Sequence, residues 1–297
     1  MSSTTSLPEP KVLVDGLAYV ESPRWHEGRL WFAHWRMGEI VAVDTDGNSE
    51  VVGHGPPKVN AAAPGHSLGW SIDWLPDGRL LMTGKELVHR ELDASLVRHA
   101  DLSDIANIGW NEIVVDGRGN VYVNSIRFGF IAGEPPTSGI IALVSPDGSA
   151  RKVADDLAFP SGMVITPDNS TLIIAESFAG HLTAFDIEAD GSLSNRRVWA
   201  EDLGPDGICV DAENAIWVQT SDSPEGAIVR IREGGEVLER IDHDRTIFAA
   251  MLGGADRTTL FLLAAEWRGI EPVDEGIAAR TGQVLITKAP APGAGWP

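Results

Sequence analysis

Pro205-Asp206-Gly207-Ile208-Cys209-Val210-Asp211-Ala212-Glu213-Asn214-Ala215-Ile216-Trp217-Val218 reads as an apolar strand, an acidic turn-forming segment and a second apolar strand. That is the pattern of a β-hairpin. Related stretches run over 21–31, 70–81, 111–123, 161–173 and 248–261, each a short strand, a turn and a further apolar strand. The copies begin at 21, 70, 111, 161, 206 and 248, roughly 40 to 50 residues apart, the period of propeller blades rather than of helical repeats. A second hairpin follows in most copies, as in Gly38-Glu39-Ile40-Val41-Ala42-Val43, Gly139-Ile140-Ile141-Ala142-Leu143-Val144, Gly180-His181-Leu182-Thr183-Ala184-Phe185 and Gly226-Ala227-Ile228-Val229-Arg230-Ile231. Four short strands per copy make one blade. The expected fold is therefore an all-β, six-bladed β-propeller with four antiparallel strands per blade.

The repeat spans the chain, so 297 residues are expected to form one domain over 11–289, with tails at 1–10 and 290–297. Lys11-Val12-Leu13-Val14 is the candidate outer strand that joins the last blade, beside Gln283-Val284-Leu285-Ile286-Thr287, and closes the ring so that no sheet edge is left open. The pattern shows no long amphipathic helix, only a single turn around Leu102 to Ala106. Two long Gly-, Pro- and Ala-rich connections, 53–69 and 126–138, are candidate lids over a site.

A formal net charge of −20, from 23 Lys and Arg against 43 Asp and Glu, argues against a nucleic-acid or anionic-membrane surface. It also creates a field that attracts cations. Cys209 is the single cysteine, so no internal disulfide is available, and its place in an apolar strand predicts a buried, inert thiol. Met1-Ser2-Ser3-Thr4-Thr5-Ser6 lacks the basic and apolar parts of a leader, and no apolar stretch approaches ~18 residues, which gives a cytoplasmic expectation. The sequon Asn169-Ser170-Thr171 is then a hairpin turn.

In a propeller the first strand of every blade lines the central channel, so equivalent positions face one another. This gathers Glu21, Trp70, Asn111, Ser161, Asp206 and Phe248 into one ring. Two carboxylates in a narrow channel are costly unless a cation neutralises them or one takes a proton. The polar ring members are all oxygen donors, with no cysteine or histidine among them, which suits Ca²⁺ first, then Mg²⁺ or Mn²⁺, and Zn²⁺ less well.

Glu21-Ser22-Pro23-Arg24-Trp25, Trp110-Asn111-Glu112, Phe159-Pro160-Ser161-Gly162-Met163 and Gly204-Pro205-Asp206-Gly207-Ile208 resemble the blade motifs of the regucalcin (senescence marker protein) and gluconolactonase family, over essentially the whole chain. The resemblance implies a six-bladed propeller that holds a divalent cation at the channel mouth and hydrolyses a lactone. It implies metal ligands at Glu21, Asn111, Ser161 and Asp206, with Asn111 also on the substrate side. At residue 161 the family's asparagine is replaced by a shorter hydroxyl, so Ser161 is expected to ligate weakly or through water. Gly109 stands where sugar-lactone hydrolysing relatives often carry an arginine, and Trp70, Trp110 and Phe248 suit an apolar substrate. Arg127, in the second candidate lid, is a further candidate substrate contact. The implied mechanism is metal-assisted hydrolysis of a lactone or ester, with Asp206 as general base or, less readily, nucleophile.

Two competing motifs are weaker. Gly65-His66-Ser67-Leu68-Gly69 fits a nucleophile elbow, but Ala61-Ala62-Ala63-Pro64 precedes it where a buried strand is required and a strand rather than a helix follows. Asp44-Thr45-Asp46-Gly47 has its glycine too early for an EF-hand and reads as a hairpin turn. The alternatives for function are a non-hydrolytic propeller, either a cation-binding protein or a metal-free condensing or cyclising enzyme resembling strictosidine synthase, and an organophosphate hydrolase at the same site.

Overall fold

The computed structural model describes residues 7–35, 37–55, 69–221, 226–267, 269 and 278–294. Among these residues the strands form six antiparallel sheets of four, the blades of the expected propeller. Strand β1 (Lys11–Leu17) is the outer strand of the last blade. The first blade follows as β2 (Val20–His26), β3 (Arg29–His34), β4 (Glu39–Val43) and β5 (Ser49–His54), and the second as β6 (Ile72–Trp74), β7 (Leu80–Met82), β8 (Leu87–Arg90) and β9 (Leu96–Ala100). The third holds β10 (Ile113–Val115), β11 (Val121–Ser125), β12 (Gly139–Val144) and β13 (Ala150–Leu157), and the fourth β14 (Pro160–Ile165), β15 (Thr171–Glu176), β16 (His181–Ile187) and β17 (Leu193–Ala200). The fifth is β18 (Cys209–Val210), β19 (Ile216–Gln219), β20 (Ala227–Ile231) and β21 (Val237–Asp242); β22 (Thr246–Gly253), β23 (Thr259–Ala265) and β24 (Gly282–Lys288) complete the sixth with β1.

The ring closes at both its inner and its outer edge. Innermost strands touch in the order β2, β6, β10, β14, β18, β22 and back to β2. At the outside, β1 pairs antiparallel with β24, matching Lys11 to Ile286, so the first strand of the chain locks the last blade. No described helix is long and apolar enough to cross a membrane.

The core is divided into wedges between neighbouring blades rather than gathered at one centre. Val20, Leu30, Phe32 and Val41 of the first blade pack on Phe261, Leu263 and Val284 of the last. Val121, Val123 and Ile140 of the third blade meet Leu81 and Leu87 of the second. Each blade is thus apolar on both faces, which is why β12 and β14 are continuously buried while outer strands such as β9 and β13 alternate with solvent. Full burial of each large apolar side chain contributes about 1.5–3 kcal/mol.

The hairpin turns reuse one device. Asp116 Oδ1 accepts hydrogen bonds from the backbone amides of Arg118 and Asn120 at 2.9 and 2.8 Å, and Asp211 Oδ1 accepts from those of Glu213 and Ala215 at 2.8 and 3.0 Å. Asp44 does the same for Asp46 and Asn48, so the Asp44–Gly47 stretch is a turn, and Asn169 of the sequon sits in the left-handed region of a turn at φ 57°. An Asp side chain that caps its own turn explains the acidic punctuation of the repeat.

Three expectations about the periphery resolve differently. Residues 290–294, expected as part of a tail, are fastened to the fifth blade: the Ala294 amide donates to Val210 O at 3.2 Å and the Ala212 amide to Pro292 O at 2.8 Å. Leu7 packs on the core and Pro8 O accepts from Thr287 Oγ1 at 2.6 Å, so part of the first tail is also held. Strand β5 extends to His54, so the first long connection begins later than expected, and most of it, residues 56–68 with the Gly65–Leu68 part of the elbow motif, lies outside the described residues. Cys209 is buried, and burial pushes its thiol far up, as expected of an inert side chain.

Candidate active site

One mouth of the channel opens into a cavity of about 360 Å³. Glu21, Asn111, Ser161 and Asp206 line it, as do Trp70 and Phe248, so the six leading residues of the blades meet there.

Five of the six fall outside the regular pairing of their sheets, and Glu21, opposite Ala33, is the last paired residue before a slip. In the long inner strands the pairing slips at the site residue: between Glu21 and Arg24 in β2, between Pro160 and Met163 in β14, and between Ile247 and Ala249 in β22. In the short ones the strand starts only after it, at Ile72, Ile113 and Cys209. Bulges and strand ends release a side chain from strict alternation and re-aim it. Ser22, in the left-handed region at φ 52°, marks the bulge that presents Glu21.

Two glycines let the inner strands converge. A Cβ on Gly162 would lie 2.6 Å from Asp206 O, and one on Gly207 would lie 2.5 Å from the Ala249 side chain. These contacts are too close for any other residue, so the Ser161-Gly162 and Asp206-Gly207 pairs are a polar group followed by the only residue that allows the approach. Gln219 fastens the same corner: its Oε1 accepts from the Asp206 amide at 3.0 Å and its Nε2 donates to Gly207 O and Phe248 O at 3.1 and 2.9 Å.

The electrostatics set this mouth apart. Ser161 Oγ donates to Asp206 Oδ1 at 2.6 Å, yet burial still pushes the Asp206 carboxyl up to about 6. Glu112, a third carboxylate on the lining, accepts from Ser71 Oγ at 2.9 Å and is pushed up to about 7, by burial first and by the charges of Asp206 and Asp73 beside it. Glu21 is raised well above the ordinary range, again by burial first, then by Asp206 and Glu112. No Lys, Arg or His lines the cavity among the described residues. The nearest compensating charge is Arg24, which donates to Ile113 O at 2.6 Å and lies 3.7 Å from the buried Asp73.

A hard cation fits this donor set by its chemistry, because mutually repelling, desolvated carboxylates gain most from a positive charge. No three His, Cys, Asp or Glu side chains among the described residues are gathered tightly enough to hold an ion, so Glu21 and Asp206 would rely on neutral oxygens such as those of Asn111 and Ser161. The Asn111 Nδ2 is engaged with Pro160 O at 3.4 Å.

Two residues expected at the site are elsewhere. Trp110 is 1% exposed and packs between the second and third blades with Leu75, Leu81 and Ile113. Residues 110–112 precede β10, and while Asn111 and Glu112 both face the cavity, the large apolar Trp110 fills the wedge between the two blades. Arg127 is exposed and off the cavity lining; its φ of 63° turns the chain outward, where its charge reaches Asp155. The cavity gains instead Tyr19, Trp35, Phe130, Phe159, Phe178 and Trp267, together with Glu112. Of these, Glu112, next to Asn111, and Phe159, two residues before Ser161, stood in the quoted motifs. The second candidate lid contributes Phe130, so 126–138 walls the site in this structure.

A family model described as the SMP-30/Gluconolactonase/LRE-like region matches residues 19–266. The regucalcin of Gallus gallus is 28% identical over 171 residues, a stretch that covers 53% of this chain and 56% of that protein. The match therefore spans little more than half the length of this curated relative. Among solved structures, a calcium-binding regucalcin from Agrobacterium tumefaciens superposes with a TM-score of 0.74 at 19% identity, covering 99% of both chains. A gluconolactonase from Xanthomonas campestris superposes with a TM-score of 0.73 at 19% identity, covering 98% of this chain and 94% of its own. At such identities the superpositions speak for the fold.

Proposed function

Because the chain belongs to the SMP-30/gluconolactonase/LRE-like family, we propose that its channel mouth hydrolyses a lactone or related ester with the help of a divalent cation. The observation that carries this reading is the crowding of Glu21, Glu112 and Asp206 around one largely apolar cavity with no described cationic side chain on its lining. Glu21 and Asp206 would hold the ion, with Asn111 and the Ser161 hydroxyl completing an oxygen set suited to Ca²⁺ first and to Mg²⁺ or Mn²⁺ next. Zn²⁺ favours nitrogen and sulfur donors, which this lining lacks. When bound, such an ion supplies a Lewis acid for the acyl oxygen and a more acidic water.

Asp206 serves as general base. The Ser161 hydroxyl fixes its Oδ1, so Oδ2 takes the proton of the attacking water. Water adds to the acyl carbon, the ring C–O bond breaks and the proton passes to the departing oxygen, leaving a hydroxy acid. Gln219 and the convergent glycines keep Asp206 in place. The apolar walls exclude bulk water, which strengthens each of these interactions.

The test is a lactone and ester panel assayed after dialysis against EDTA, with and without added Ca²⁺ or Mn²⁺. The expected result is metal-restored hydrolysis that Asp206→Asn abolishes. Hydrolysis untouched by EDTA would remove the cation from the proposal, and no hydrolysis of any lactone or ester would end it. The absence of a tight group of three acidic or histidine side chains favours one second reading, a metal-free propeller chemistry, which the EDTA arm identifies.

A further inference from the structure

The cavity has two separate aromatic walls. On one side Tyr19 gathers Trp35, Phe248 and Trp267, with ring centroids 6.2, 5.7 and 5.7 Å away. On the other, Phe159 lies 4.5 Å from Phe178 in a stacked pair and 5.0 Å from Phe130 at a steep angle. The two groups lie apart in the fold, one at the junction of the first and last blades and one where the 126–138 connection meets the fourth blade, yet all seven rings line the same space. At its lip Phe178 is 50% and Trp267 39% exposed. Large rings left half open around a concave site are what an apolar ligand would cover.

Above the carboxylates, several polar atoms of the lining are, by contrast, already engaged. Ser177 Oγ donates to Pro205 O at 2.8 Å, Ser161 Oγ to Asp206, and both ends of the Gln219 amide are used within the protein. A ligand bearing hydroxyls all round could pair those near Glu21, Asn111 and Asp206 but would bury the others against the two aromatic walls, and an unpaired buried hydroxyl is penalised. A flat ring instead finds π-faces and edges at both walls, the geometry that aromatic pairs favour.

We propose that this site takes a lactone carrying an aromatic ring, held between the Tyr19 and Phe159 walls with its carbonyl toward Glu21 and Asp206, and that it discriminates against polyhydroxylated sugar lactones. The assignment rests on the lactonase reading above and names its substrate class. The site's volume, at the small end of the range for ligand pockets, suits a single fused or substituted ring system rather than a polymer.

Binding and turnover are measured separately. Calorimetry with two non-hydrolysable amides, dihydroquinolinone as the aryl probe and gluconolactam as the polyol probe, is run on the wild type with and without Ca²⁺. The aryl amide is expected to bind at least about tenfold more tightly, and Phe178→Ala and Trp267→Ala each to reduce that ratio about 3- to 10-fold. Both rings are at the lip, so their truncation spares the core. Equal or tighter binding of gluconolactam overturns the proposal, as does a ratio that neither variant changes. Turnover is then compared for dihydrocoumarin and gluconolactone. A kcat/KM for gluconolactone equal to or above that for dihydrocoumarin overturns the substrate class and leaves the lactonase reading standing. Retained aryl-amide preference with neither lactone hydrolysed overturns the lactonase reading instead, and leaves the aromatic recognition standing.

Discussion

The hairpin turns and the channel mouth of the same blades hold carboxylates in opposite states. At the turns, Asp77, Asp93, Asp147 and Asp190 accept side-chain or backbone hydrogen bonds from the residue two positions further on, and Asp168 accepts first from Thr166 and then from Ser170; these hold the carboxyls below the usual range. At the mouth, burial pushes Asp206 and Glu112 up to about 6 and about 7 and Glu21 well above its ordinary value. The residue types are the same, and the third blade carries both kinds, Glu112 at the mouth and Asp147 at a turn. What separates them is whether the side chain meets its own backbone amides or lies buried near other carboxylates. The first arrangement builds the turn and the second stores a demand for a proton or a cation.

The sharpest way to break this contrast is to neutralise one carboxylate of each kind. Asp206→Asn is expected to lower kcat by about 10²- to 10⁴-fold while circular dichroism and thermal stability are retained, since a desolvated charge is removed. Asp168→Asn, at a turn, is expected to leave kcat unchanged. A turnover deficit of similar size in both would deny that the mouth is the reactive end.

Asp211 provides the next largest effect, on stability. It caps its turn and also pairs with the nearly buried Arg230 at 2.6 Å, so Asp211→Ala leaves a buried charge with Glu213 alone and should destabilise by about 3 kcal/mol in urea unfolding. The kcat of the folded fraction should not change. At the mouth, Glu21→Gln is expected to weaken divalent-cation affinity at least 10- to 100-fold by titration calorimetry, whereas unaltered affinity would remove Glu21 from the ligand set.

The two populations also predict opposite pH slopes. Mouth carboxyls have folded pKa values above their unfolded ones, so their contribution is complete below about pH 4 and is lost as pH rises through about 6 to about 7. Turn carboxyls are depressed, so theirs is present above about pH 4 and is lost as pH falls through their folded values. In EDTA the melting temperature should therefore decline by several degrees from pH 5 to pH 8, and added Ca²⁺ should recover the loss at the upper end. A flat profile across that window, in EDTA, contradicts the raised values at the mouth.

Much of the blade structure was legible because alternation and Asp-rich turns are local signals. Strands β4, β12, β16 and β20 fall where the second hairpins were expected, and β1 closes on β24 as its apolar run implied. The ring of leading residues was legible for a different reason: repeats around an axis place equivalent positions together whatever their side chains. Trp110 shows where that logic ends, because sequence adjacency to Asn111 placed it at the site when its large apolar side chain fills the wedge between two blades. Most rings of the aromatic walls had no such marker. Tyr19 and Trp267 lie in the first and last blades and Phe130 in an irregular connection, so only closure of the ring sets them around one space.

By itself the sequence was enough to establish the number of blades and the acidic and amide groups that lead them, since each depends on spacing along the chain, while the family entered through the resemblance of four blade motifs. The proton affinity of Asp206, the enlistment of Glu112 and the pairing of two aromatic walls across the cavity were decided by tertiary structure. They depend on which surfaces exclude water and which charges lie near one another. Those are distances through space between blades, and strand periodicity, which stops at the bulges and strand ends where the site residues sit, does not encode them.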